Sequence, residues 1–229
     1  MIYVTGDTHG SYKRLRAFFR NMPVTKSDVL IILGDTGLNY FADERDLPHQ
    51  KSASRLPLTL LCLRGNHDRR VEGMACYRHE TSFGGNVYFE DAYPDILFAS
   101  EGGIYEMEGK SALLVGGAYS VDKEWRLSHG HNWFADEQIS DACKEEIETK
   151  LQARDWRIDT VLTHTCPLRF EPVEALFQSI DQNKVDKNME IWLERIERKL
   201  SFRQWFCGHF HIDKKDGPLR FLFRDVVAL

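Results

Sequence analysis

Short apolar runs, each closed by glycine or threonine and a metal-ligand type of residue, constrain this chain more than any other feature. Ile2–Thr5, Val29–Leu33, Leu58–Leu63, Thr160–Leu162 and Trp205–Cys207 are apolar, rich in β-branched residues, and short. Runs of this kind read as buried strands. Directly after them come Gly6-Asp7-Thr8-His9, Gly34-Asp35, Gly65-Asn66-His67-Asp68, Thr163-His164-Thr165 and Gly208-His209-Phe210-His211. Candidate ligands therefore sit at the strand ends of a mostly parallel sheet, where α/β folds place their sites. That arrangement points to an enzyme.

The residue types narrow the chemistry. Carboxylate, imidazole and one neutral amide form a hard-to-borderline set that suits Mn, Fe, Zn or Co rather than Ca. Asp7, His9, Asp35, Asn66, His164, His209 and His211 are too many for one ion but suit two divalent ions sharing a carboxylate. Asp35 is the best bridge, because it lies between the Asp7/His9 pair and the later histidines. Two metals about 3.5–4 Å apart clamp the attacking and leaving oxygens of a phosphoryl displacement. Taken singly, each residue has a plainer reading. An Asp after Gly is usually a turn or cap residue, Asn66 a turn residue, and Gly-His-x-His an incidental exposed pair. Those readings fail jointly, since none explains five strand-end placements.

In order and spacing these motifs resemble the set of the calcineurin-like metallophosphoesterases, from residue 6 to residue 211. The resemblance implies one metal on Asp7, His9, Asp35 and His211, and a second on Asp35, Asn66, His164 and His209. Manganese is the best match. It implies a hydroxide shared by the ions as nucleophile, its pKa lowered by two cations. His67 matches the family's general acid rather than a ligand. One departure stands out. In the protein Ser/Thr phosphatase branch the bridging Asp is followed three residues later by another Asp, then Arg and Gly. That Asp orients the catalytic His and the Arg grips phosphate. Here those positions are Leu38, Asn39 and Tyr40. Leu63-Arg64-Gly65-Asn66-His67-Asp68 nevertheless looks very like the same branch, so Arg64 or Arg69 is expected to supply phosphate contacts.

Composition sets outer bounds. With 229 residues, 42% of them hydrophobic, the chain can bury a full core as a single domain over 1–229. A net charge of −5 argues against nonspecific binding to nucleic acid or anionic membranes. No apolar run approaches a membrane span. A first strand at Ile2 with a ligand type at Asp7 leaves no room for a cleaved signal peptide. Cys62, Cys76, Cys143, Cys166 and Cys207 are odd in number and lack CxxC spacing, in keeping with a cytoplasmic protein. Cys166, two residues after His164, reads as a neutral loop residue, and His49 and His79 as surface residues.

Ser11 should cap a first helix carrying Leu15, Phe18, Phe19 and Met22 on one face. Residues 41–56 read as a second, polar helix. Residues 81–118, with four glycine-containing turns, read as an antiparallel meander, and helices return at about 136–152 and 186–200. This order implies two sheets packed face to face and flanked by helices, a mixed α/β fold. The resemblance implies the same αββα sandwich without a capping domain.

Gly116–Phe134 is the least family-like stretch and is expected to set specificity. Lys123 and Arg126 are candidates for phosphate oxygens, and Trp125 or Trp133 for stacking on a base. The expected activity is hydrolysis of a small phosphate ester, with nucleotides among the candidates. Phosphodiesters, cyclic or linear, are favoured because the second Asp and its Arg are missing. The alternatives are a phosphomonoesterase on nucleotides or phosphoproteins, and a non-catalytic scaffold of the same fold.

Overall fold

Every residue from 1 to 229 is described by the computed structural model. Its architecture follows from strands apolar on both faces, since each face then needs its own cover. In β1 (Ile2–Thr5) the side chains of Ile2 and Val4 enter one apolar cluster while Tyr3 enters another. β2 (Val29–Ile32) divides the same way: Val29 and Ile31 lie on one side, Leu30 and Ile32 on the other. β3 (Thr59–Cys62) repeats the pattern. Between these strands run α1 (Lys13–Phe19) and α2 (Leu47–Ala53), which bury Leu15, Phe19 and Ala53 against the outer face.

The chain then forms β4 (Arg78–Ser82), β5 (Gly85–Phe89), β6 (Ile96–Ala99), β7 (Gly103–Met107) and β8 (Lys110–Val115). After α3 (Lys123–Ser128), α4 (Asp141–Gln152) leads to β9 (Thr160–Thr163). α5 (Asn188–Lys199), β10 (Gln204–Cys207), β11 (Lys214–Asp216), β12 (Leu219–Phe221) and β13 (Val226–Ala228) complete the order. One sheet runs β13-β1-β2-β3-β6-β5-β4 and the other β11-β12-β10-β9-β8-β7. In each the central strands pair in parallel and the edges are antiparallel. Val4, Ile31, Leu61, Leu114, Leu162 and Phe206 share the cluster between the sheets, while α4 and α5 cover the far face of the second. The structure is the mixed α/β sandwich expected from the sequence. No helix is long and apolar enough to cross a membrane.

Leu61, fully buried between the sheets, gives the packing a direct test. Leu61→Ala should cost about 2–5 kcal/mol in urea unfolding, because it removes transfer energy and leaves a cavity. Ile191→Ala, on the exposed side of α5, should stay within about 0.5 kcal/mol.

Several local expectations need correction. Tyr12, not Ser11, precedes α1, and Phe18 is exposed while Met22 lies past the helix end. The second helix shrinks to Leu47–Ala53, because the Asp46 carboxylate accepts the N–H groups of Phe41 and Ala42 and holds a turn there. The meander is real but divided: β4, β5 and β6 join the first sheet, β7 and β8 the second. α3 was expected as loop, and β11 to β13 carried no strand expectation at all.

Candidate metal centre

Parallel strands deliver the candidate ligands. Asp7, Asp35 and Asn66 leave the same end of adjacent β1, β2 and β3, and His164 and His209 leave the ends of adjacent β9 and β10. The two sets meet between the sheets. His164 Nε2 lies 2.9 Å from Asn66 Oδ1 and 3.6 Å from Asp35 Oδ1. On the other side His9 Nε2 lies 3.9 Å from Asp35 Oδ2 and 3.9 Å from Asp7 Oδ2. His211 Nε2 comes within 3.1 Å of Asp7 Oδ2 and 2.9 Å of His9 Nε2. The potential donor atoms of Asp7, His9 and His211, and those of Asp7, Asp35 and His164, lie within 4.8 Å of one another.

The chain spends conformational energy to make this cluster. His9, Asp35, His209 and His211 all have left-handed backbone, with φ of 44°, 48°, 65° and 51°. Each such residue costs about 1–3 kcal/mol, and strain of that kind concentrates at functional sites. Two glycines clear the space for the carboxylates. A Cβ on Gly65 would stand 2.0 Å from Asp35 Oδ1, and one on Gly208 would stand 2.4 Å from Asp7 Oδ1. A backbone carbonyl sets the orientation of one imidazole. His164 Nδ1, 2.6 Å from the Leu33 carbonyl, donates to it and leaves the Nε2 lone pair facing the cluster.

Three unsought residues position the candidates. Asn66 Nδ2 donates to Ser120 Oγ at 2.9 Å, and Ser120 Oγ donates in turn to Glu137, so Asn66 presents its carbonyl oxygen to the centre. Asp68 accepts from the N–H groups of Gly65, Thr36 and Gly37, tying the β2 and β3 loops together. Its motif position was visible in the sequence, whereas Ser120 and Glu137 gave no local signal.

Electrostatics favour cation binding. Burial works against ionisation of Asp35, but the imidazoles of His164, His67 and His9 hold its carboxyl well below the usual carboxylate range. Burial, reinforced by His164, pushes His209 down to about 3, so its imidazole is neutral as a ligand must be. Asp7 Oδ2 is buried without a hydrogen bond, and His9 and His211 aim ring nitrogens at each other beside it. An unsatisfied carboxylate oxygen and two converging imidazoles fit a divalent cation well.

His67 stands at the edge of this group. Its backbone N–H donates to Asp35 Oδ1 at 2.8 Å, and its Nε2 lies 3.9 Å from Asp35 Oδ2. A cleft of about 810 Å³ opens from His9, Asp35, Asn66, His67, His209 and His211. Its outer wall includes Tyr119, Val121, Phe177, Ile180 and Phe210. Part of it comes from 168–184, which holds three single-turn 3-10 helices and was not anticipated. Of the expected phosphate-binding residues, none lines the cleft. Arg64 is buried against Glu101 and the Glu137 carbonyl, and Arg69 stacks over Phe134. Lys123 covers the Trp133 ring at 4.0 Å, and Arg126 is buried behind His67. Trp125 stacks on His129 and His131 instead of facing the cleft. His49 is half-buried rather than on the surface, with Nδ1 3.1 Å from the Gly10 carbonyl. Cys166 is buried in the core under α5, where burial pushes its thiol pKa well up.

A two-sheet sandwich whose parallel strand ends gather carboxylates and imidazoles defines an α/β protein with a candidate metal-binding site. The family model for calcineurin-like phosphoesterases matches residues 1–213, and the chain belongs to that family, which implies a metal-dependent hydrolase. Among curated proteins none matches the chain. Of solved structures, it is similar to a protein of unknown function from Aquifex aeolicus, at 15% identity over 72% of this chain and 80% of that one, with a TM-score of 0.35. It is also similar to a protein serine/threonine phosphatase from Saccharomyces cerevisiae, at 16% identity over 97% of this chain and 66% of that one, with a TM-score of 0.31.

Proposed function

We propose that this protein is a dinuclear metal-dependent phosphoesterase that prefers phosphodiesters. Asp7, His9, Asp35 and His211 would hold one ion, and Asp35, Asn66, His164 and His209 the other, with manganese the best match to the donor set. The observation that carries the reading is Asp35, whose Oδ2 faces His9 while its Oδ1 faces His164. Bound there, two divalent cations would lower the pKa of a shared water and stabilise the charge on the phosphoryl oxygens. His67, beside Asp35 and lining the cleft, donates from Nε2 to the leaving oxygen. The apolar outer wall takes the organic part of a small ester, a nucleoside among the candidates, and excludes water from it. Exposed, unpaired Cys76 suits a reducing compartment, and we place the enzyme in the cytoplasm.

The diester preference rests on charge. Histidines aside, Lys187 is the one basic residue lining the cleft, and Glu171 and Gln182 occupy its ammonium. Asp122, Glu171, Asp186 and Glu190 add carboxyl groups to an otherwise largely apolar lining. A monoester dianion would meet that lining with less compensation than a diester monoanion. Bis-p-nitrophenyl phosphate or a cyclic nucleotide should therefore show the higher kcat/KM against p-nitrophenyl phosphate with the Mn-loaded protein. A tenfold preference for the monoester, about 1.4 kcal/mol of transition-state discrimination, would overturn the diesterase reading. Turnover of neither, by protein shown to hold metal, would favour the scaffold reading.

A further inference from the structure

We infer that Arg126 is a positioning residue for His67, holding the imidazole in the tautomer that carries its proton on Nε2. The inference rests on the proposed role of His67 as donor to the leaving group. Arg126 lies in α3 and is only 2% exposed, yet it does not line the cleft. Its Nη2 stands 3.1 Å from His67 Nδ1. A guanidinium has donors and no acceptor, so Nδ1 must accept this hydrogen bond. The ring proton then sits on Nε2, the nitrogen beside Asp35 Oδ2.

Two carboxylates, Asp122 and Glu137, offset the charge of Arg126, but neither accepts a hydrogen bond from it. Its Nε is 3.5 Å from Asp122 Oδ1, and both Nε and Nη1 lack a hydrogen-bond acceptor. A buried cation with two unsatisfied N–H groups is costly, so the contact with His67 is the one good bond it makes. No carboxylate pairs with His67 Nδ1, whose hydrogen-bond partner is Arg126. A carboxylate there would draw the proton to Nδ1; Arg126 imposes the reverse. His67 thereby stays a neutral N–H donor aimed at the metal centre.

Nitrogen-15 spectra of histidine-labelled, metal-free protein read the tautomer directly. Wild type should show His67 with Nε2–H. Arg126→Met should mix the two tautomers, and Arg126→Lys, which keeps a donor, should retain Nε2–H. In the Mn-loaded protein, Arg126→Met should lower kcat by roughly tenfold on a diester with a poor phenolate leaving group, with KM unchanged. On p-nitrophenolate esters the loss should stay within about twofold. Arg126→Lys should recover most of it, and metal content should not change. An Nδ1–H tautomer in wild type overturns the inference. So does a raised KM with unchanged kcat in Arg126→Met, which would make Arg126 a substrate contact. If Arg126→Met does not fold, the wild-type spectrum and the lysine variant decide. His67→Ala separates the two levels: without a leaving-group-dependent loss there, the role of His67 falls, while the spectrum still judges Arg126.

Discussion

Asp35→Asn should strip both ions from the protein and take phosphoesterase activity to background. The expectation comes from where the two carboxylate oxygens point. Oδ2 lies 3.9 Å from His9 Nε2, on the side of Asp7 and His211, while Oδ1 lies 3.6 Å from His164 Nε2, on the side of Asn66. Asp35 faces the two sets through different oxygens, so losing its charge should weaken both proposed sites. Asparagine keeps the shape and an oxygen to accept the His67 N–H, so the fold should survive. His211→Ala, by contrast, should empty mainly the Asp7 side. Elemental analysis of fully loaded protein should find two ions per chain in wild type, about one in His211→Ala and close to none in Asp35→Asn. One ion or none in wild type would end the dinuclear proposal. Circular dichroism on the same samples guards against a folding defect.

The fold was legible where residues are apolar on both strand faces. Ile2–Thr5, Val29–Ile32 and Thr160–Thr163 could only be buried strands, and the structure places them at the parallel centres of the sheets. α5 was legible because Met189, Trp192, Leu193 and Ile196 recur at helical spacing and all face the core. Edge elements were not. Lys214–Asp216 and Leu219–Phe221 are three residues each, too short for a period to show, and pairing across the sheet makes them strands. The meander misled for a related reason: glycine turns mark reversals, yet say nothing of which sheet receives each strand.

The candidate site divides along the same line. Residues at strand ends were visible because strand, glycine and ligand type coincide within a few positions. The supporting residues depend on contacts distant in sequence: Ser120 reaches Asn66 across 54 positions and Glu137 across 17. Lys123 and Arg126 of α3 look like phosphate ligands in the sequence because sequence shows charge but not direction. Lys123 lies over Trp133, and Arg126 turns inward to His67. The acidic, apolar character of the cleft was equally hidden, since much of its wall comes from 171–187, a stretch without periodicity.

His67→Ala should separate binding from chemistry most sharply. His67 is assigned to neither proposed ion, so the variant should retain both metals. Its N–H bond to Asp35 comes from the backbone and survives the change. Turnover should nevertheless fall by roughly 10²–10⁴, the range for losing a positioned proton donor. The size of the loss should track the leaving group. A p-nitrophenolate carries its own negative charge well and needs little help, so the deficit there should be small. An alkoxide leaving from a nucleotide-like diester needs the Nε2 proton, and the deficit should be largest. His67→Asn places an amide in a similar position and should recover part of the rate on poor leaving groups without changing metal content. An equal loss on good and poor leaving groups would instead assign His67 to phosphate binding or to shaping the cleft, and the donor role would have to be given up.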